Sequence, residues 1–206
     1  MILPGDRDST NAGGLRERLF ERRVVILNGH LDDEPAAEAA AALMTLDATG
    51  DDKVQLLLNC NGGTYDAAFT LMDVVDLLGV PVHATCMGAL EGPPVGVLAV
   101  ADHRVAAPHS RLRMCEPSGA FEGRAGDIAR WAEEQRRQQE RFCARLAAAM
   151  QRPVKWVTDA MRMGRMLDVH EAVRYGLVDE IAAPRAAPVR SLSGGTLGFH
   201  SGSSRH

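Results

Sequence analysis

No run of about 18 uninterrupted apolar residues occurs in the chain, so no membrane-spanning helix is expected. The first 20 residues, MILPGDRDSTNAGGLRERLF, lack the apolar core of an export signal, and a cytoplasmic location is the expectation. Basic residues are not in excess: the net charge of −4 argues against nucleic acid or an anionic membrane as a partner. Cysteine is scarce and scattered. Cys60, Cys86, Cys115 and Cys143 form no CxxC pair and no Cys/His ligand spacing, so reduced thiols, no metal and no cofactor are expected. Serine is nearly missing from the middle of the chain, where Ser110 and Ser118 alone stand between residues 10 and 190. His83, His103, His109 and His170 are not placed by local sequence as partners of a serine or cysteine.

What is present is an alternation of apolar runs and helical patterns. The 206 residues are 46% hydrophobic, enough for one globular α/β domain with a sizeable core. VVILNGH (24–30), KVQLLLN (53–59) and PVHATCM (81–87) read as buried strands. EPAAEAAAALMTLDAT (34–49), YDAAFTLMDVVDLLG (65–79) and an apolar stretch at 93–101 read as the helices after them, with CNGGT (60–64) as a turn. Units of this kind predict a parallel sheet with right-handed crossovers. HRVAA (103–107) and SRLRMC (110–115) read as short strands, and LRERLFERR (15–23) as a short helix. GDIARWAEEQRRQQERFCARLAAAM (126–150) is a long charged helix whose Ile128, Trp131, Phe142, Leu146 and Met150 make a partial apolar stripe, suited to a neighbour or to a solvated surface. Helices at 153–164 and 168–176 and a strand at 177–181 follow. Residues 1–14 read as a flexible leader, 15–183 as the domain, and 184–206 as a disordered tail rich in Pro, Gly and Ser.

Two strand-to-helix turns stand out. Gly62 and Gly63 sit where outward backbone N–H groups could form an oxyanion site, although taken alone a tight turn is the ordinary reading of such a pair. MGALEGPPVGV (87–97) has the form of an elbow that presents a nucleophile, yet carries no Ser, Thr or Cys after Cys86. Turns at the C-terminal edge of such a sheet are where α/β proteins build sites. Cys115 beside Glu116 is the one reactive-looking pair near these turns, and a small buried hydrophobe is the ordinary role of such a thiol.

From Leu15 to Ile181 the chain resembles the ClpP peptidases, the barrel-shaped proteolytic subunits of the Clp machines. NCNGGTYDAAFTLMDVV is similar to the family's N-S-P-G-G-S-V motif and its helix, and PVHATCMGALEGPPVGVLAVA to its nucleophile turn C-M-G-Q-A-A-S-M-G-A. SRLRMCEPSGAFEGRAGDI resembles S-R-I-M-I-H-Q-P-x-G-G-x-x-G-x-A-x-D-I, and GRMLDVHEAVRYGLVDEI resembles D-R-F-M-S-A-x-E-A-x-E-Y-G-L-V-D-x-I. The resemblance implies the ClpP/crotonase superhelical α/β fold, with a parallel sheet and a protruding handle helix at about 126–150. It also implies heptameric rings stacked in pairs.

Carried over position by position, the family's serine falls on Gly92, its histidine on Cys115 and its aspartate on Gly164. Glycine has no side chain for attack or proton transfer. Gly62 and Gly63 match one half of the oxyanion hole, and the other donor falls on Pro93, which has no N–H. The expected function is therefore a catalytically silent ClpP-type subunit. It would assemble as a homo- or hetero-oligomer with ClpP-type subunits and serve an AAA+ unfoldase. Three alternatives stay open. One is chemistry relocated to Cys115. Another is a crotonase-like acyl-CoA-binding protein, suggested by ADHRVAAPHSRL (101–112) with Glu91 and Glu116. The third is a self-associating scaffold.

Overall fold

The computed structural model describes residues 7–118 and 122–183, with side chains from Gly14 onward. Its core is an open sheet ordered β1-β2-β3-β4-β7, built from β1 (Val24–Leu31), β2 (Val54–Gly63), β3 (Val82–Glu91), β4 (His103–Ala106) and β7 (Glu180–Ile181). Every pairing along that path is parallel, as the strand–helix alternation predicts. β3 is the branch point. Its first half pairs with β4, and its last residues pair in parallel with β5 (Arg111–Met114). β5 in turn pairs antiparallel with β6 (Arg165–Leu167).

Helices α2 (Asp33–Thr49) and α3 (Tyr65–Leu77) are the crossovers. Ala36, Ala39, Leu43 and Leu46 recur at helical spacing on α2 and are buried, as are Ala68, Leu71, Met72 and Val75 on α3. Thr64 caps α3: its Oγ1 accepts from the Ala67 amide at 3.1 Å. α4 (Pro94–Ala99) is buried throughout, so only small and aliphatic side chains fit it. On it Gly96 lies against the handle. A Cβ there would stand 2.5 Å from Phe142 Cε2 and 2.8 Å from Met72 Sδ. Gly96→Ala is expected to cost about 1–3 kcal/mol through overpacking. Thermal unfolding followed by circular dichroism should show Tm lowered by roughly 5 °C.

The long helix α5 runs Ala125–Met150, close to the expected 126–150. Its last third buries Phe142, Cys143, Leu146, Ala147 and Met150. Arg145 Nη2 reaches Asp76 at 2.6 Å, Gln138 Nε2 donates to Asp66 at 2.6 Å, and Arg141 lies over the Phe69 ring, so polar contacts to α3 clamp the same region. Toward the helix start Ile128 and Trp131 are exposed at 41% and 38%. The apolar stripe therefore divides into a docked base and an outlying half. α6 (Val154–Met163) and α7 (Val169–Arg174) complete the fold, with Asp168 and Glu171 forming a capping box on α7.

Several boundaries differ from expectation. Helix α1 spans Arg7–Glu21 and so begins inside the expected leader. Its Phe20 packs on the core, and a helix anchored there extends back through Gly13 and Gly14 at a cost of about 1 kcal/mol each. Residues 60–63, expected as a turn, are the end of β2, because β1 continues to pair with them. β3 runs to Glu91 past the expected end at 87, because β5 supplies a new partner where β4 stops. β6 was not expected, and β7 is shorter than 177–181. The expected tail, 184–206, and residues 1–6 of the expected leader lie outside the described residues.

Candidate active site

The register of the sheet brings the two turns together. Cys60 on β2 pairs with Leu90 on β3, so Gly62 and Gly92, each two residues farther on, reach the C-terminal edge side by side. Both glycine positions on β2 are demanding. Gly62 has φ +149, and a Cβ on Gly63 would lie 2.6 Å from the Leu31 carbonyl oxygen.

Gly92 turns the chain with φ +69. A Cβ built there would stand 3.6 Å from Cys115 Sγ, so the predicted nucleophile and base positions do face each other. Cys115 follows β5 and is half-buried. Burial pushes its thiol above the ordinary value of 9.0, and the nearby Arg113 guanidinium offsets only part of that rise. A thiol so placed is protonated at neutral pH and is a poor nucleophile.

The backbone of the elbow offers no free donor. The Gly92 amide donates to the Arg113 carbonyl at 2.9 Å, and Pro93 and Pro94 have no N–H. The Val95 amide donates to Gly92 O at 3.0 Å and the Gly96 amide to Pro93 O at 2.9 Å. From Gly92 to Gly96 each N–H is therefore either missing or engaged.

Gly164 ends α6 with φ +63 and leads into β6, which carries it to the same region through β5. Its neighbour is Arg113: a Cβ on Gly164 would lie 3.2 Å from Arg113 Nη2. Arg113 is also the cross-strand partner of Glu91, with Nη1 3.6 Å from the Glu91 carboxylate. An arginine–glutamate pair thus stands among Gly92, Cys115 and Gly164. Sequence reading missed Arg113. The signal was there in SRLRMC, where strand alternation puts Arg111, Arg113 and Cys115 on one face and buries Leu112 and Met114 on the other.

Glu116 is separately engaged and accepts from Gln139 Nε2 on α5 at 2.5 Å. Ser110 is buried and donates to the Cys86 carbonyl at 2.8 Å. Beside these, Tyr65 is 3% exposed, with its ring 5.2 Å from that of Phe142. No group of three or more His, Cys, Asp or Glu able to hold a metal ion occurs among the described residues.

A family model described as Clp protease matches residues 7–185 of the chain. Among solved structures, the chain is similar to a mutant of ClpP1 from Listeria monocytogenes. The TM-score is 0.74 at 24% identity, covering 83% of this chain and 97% of that one. At that identity the likeness is one of fold, and it matches the mostly parallel α/β arrangement with seven helices among the described residues. By the breadth of the family match, the chain belongs to the Clp protease family.

Proposed function

We propose that this chain is a catalytically silent member of the family, a ring subunit that supports or regulates an active ClpP-type peptidase in ATP-dependent protein degradation. The observation that carries this reading is the elbow. Its amides from Gly92 to Gly96 are absent or already bonded, and on this reading Gly92, Cys115 and Gly164 take the positions of the family's triad. A peptidase of this type needs a nucleophile, a base and a donor to the oxyanion. The Arg113–Glu91 pair adds charge beside the elbow but offers no attacking group. The buried half of α5 ties the helix to its own domain, and exposed Ile128 and Trp131 leave apolar surface for another subunit. Handle contacts between subunits, mixed rings and docking of an AAA+ unfoldase belong to this reading, as does a cytoplasmic location. A barrel selects substrates by enclosure, so silent subunits serve it as wall.

The purified chain is expected to turn over no fluorogenic peptide and to take no label from a fluorophosphonate. Native mass spectrometry with an active ClpP-type partner is expected to give mixed rings. Peptide turnover by the chain alone, or a monomer under both conditions, would overturn the proposal.

The alternative with relocated chemistry has one observation in its favour, the approach of Cys115 Sγ to Gly92. It requires a thiolate, and burial opposes one. Alkylation of Cys115 by iodoacetamide is expected to lag behind that of free cysteine at pH 7. Because the thiol is raised above 9.0, the rate should still be climbing above pH 9. A plateau below pH 8 would favour the relocated site.

A further inference from the structure

The Arg113 guanidinium is an unspent group beside the elbow. Its side chain is 45% exposed, and its ion-pair partner Glu91 stands 3.6 Å away, beyond hydrogen-bond reach. Among the described residues nothing accepts a hydrogen bond from any of its N–H donors. We propose that Arg113 binds the C-terminal carboxylate of a short peptide, at the place that Gly164 leaves without a side chain.

Three observations carry the assignment. The first is how the fork is turned. Nη1 faces Glu91. A Cβ on Gly164 would lie 3.2 Å from Nη2, 3.5 Å from Nε and 3.8 Å from Cζ. Cζ is the farthest of these, so the position lies off the Nε–Nη2 edge and not over the flat face. That edge carries a parallel pair of N–H groups, the pair that grips a carboxylate at two points. No other side chain comes nearer to the position than these atoms of Arg113. The second is a coincidence of two replacements. Against the motifs quoted above, Arg113 falls on the Met of S-R-I-M-I-H, and Gly164 falls on the Asp of D-R-F-M. The chain thus carries a guanidinium where the motif is apolar and lacks the carboxylate that would meet it, which leaves the fork to a carboxylate from outside. The third is the surroundings. Pairing places Glu91, Arg113 and Met166 in one row across β3, β5 and β6. Met166 and Met163 are 51% and 74% exposed and offer adaptable apolar surface to a terminal side chain. Glu91 on the other side opposes a second negative charge, so a singly charged carboxylate is favoured over a phosphate dianion. A peptide end brings what the row offers to receive: one carboxylate, a side chain next to it and an uncharged backbone behind. The inference deepens the silent reading and rests on it, because a site that cannot cut is free to hold the ends that cutting elsewhere creates.

The test titrates the purified full chain into dansyl-Ala-Ala-Leu at pH 7.5 and follows fluorescence anisotropy, with the same peptide ending in an amide as the comparison. The acid is expected to bind about tenfold more tightly than the amide. Glu91→Gln removes a competing carboxylate and should tighten the acid about threefold while leaving the amide unchanged. Arg113→Gln and Gly164→Asp should each bring the acid down to the level of the amide, the second because the introduced carboxylate occupies the fork. Circular dichroism of each variant checks that it is folded. Equal binding of acid and amide to the parent chain would overturn the proposal, as would a preference for the acid that survives in Arg113→Gln. An amide-ended peptide with Asp in place of Leu that binds as well as the acid would assign the site to acidic side chains and overturn the terminal assignment. Displacement of the probe by inorganic phosphate at lower concentration than by acetyl-Ala-Ala-Leu would overturn it too. These outcomes end the proposal and leave the silent reading in place. Hydrolysis of the probe would end the silent reading, and the proposal with it.

Discussion

A chain carrying Gly92→Ser, Cys115→His and Gly164→Asp together is expected to hydrolyse no peptide above the level of the parent chain. Each substitution restores a group, yet the surroundings oppose all three. The introduced aspartate would extend from a Cβ 3.2 Å from Arg113 Nη2, so its carboxylate pairs with that guanidinium in place of the introduced histidine. A histidine without its carboxylate partner loses its orientation and the right tautomer, worth about 10⁴ in rate. At the elbow, the amides from Gly92 to Gly96 are missing or bonded, and loss of one oxyanion donor alone is worth about 10²–10³. Gly92 and Gly164 also hold φ of +69 and +63, where a side chain costs about 1–2 kcal/mol each. The triple variant should therefore fold with a lowered Tm and stay silent. Adding Arg113→Met, Pro93→Met and Pro94→Gly frees the carboxylate and returns two backbone N–H groups. That chain is expected to gain at least about 10²-fold in turnover of a fluorogenic peptide over the triple variant. Turnover in the triple variant would show that Arg113 and the prolines do not block the site. No gain from the three added changes would show that they are not what is missing. Gly92→Ser by itself is expected to restore no turnover.

How much of this was legible in the sequence depends on the range of the forces involved. Gly92, Cys115 and Gly164 were identified from motif order, and the register of β2, β3, β5 and β6 draws them together. The parallel sheet was legible too, because strand-like apolar runs recur with helical patterns between them; on β2 the burial alternates, with Val54, Leu56 and Leu58 inside and Gln55 exposed. What escaped depends on pairing at a distance. β3 continues through Gly88, a turn signal at φ +90, because β5 captures its far end and Asn59 Oδ1 accepts from the Ala89 amide. β6 has three residues and no pattern of its own, and its pairing with β5 alone defines it. Arg113 escaped for another reason. A search for nucleophiles passes over a cation, and only the strand's alternation shows that it shares a face with Cys115. Likewise the spent amides at the elbow follow from the β3–β5 pairing, which no local motif encodes.

Arg104→Ala is expected to be among the most damaging single changes outside the apolar core, with no contact to the elbow. Arg104 on β4 is 15% exposed in its side chain and fully engaged. Its Nη2 reaches Asp179 Oδ1 at 2.5 Å and its Nε reaches Oδ2 at 3.1 Å, a bidentate pair. Its Nη1 donates to Gly176 O at 2.8 Å and to Ala149 O at 3.3 Å, and its own amide donates to Asp179 Oδ2 at 2.8 Å. One side chain thus ties β4 to the end of α5 and to the turn before β7. Truncation leaves two carbonyls and a carboxylate short of donors, a loss of about 3 kcal/mol. In a domain of this size Tm should fall by roughly 10 °C, read by calorimetry. Arg104→Met with Asp179→Asn should lose less than the two single changes summed, because the double variant buries no unpaired charge. The pair also sets a pH dependence. Hydrogen bonds from Arg104 hold the Asp179 carboxyl below its ordinary 3.8, so its stabilisation is complete above that value and is lost as pH falls below it. The gap in Tm between the parent chain and Asp179→Asn should therefore be constant from pH 5 to pH 7 and narrow below about pH 4. A gap that widens on acidification would mean that the aspartate is not the group held by Arg104.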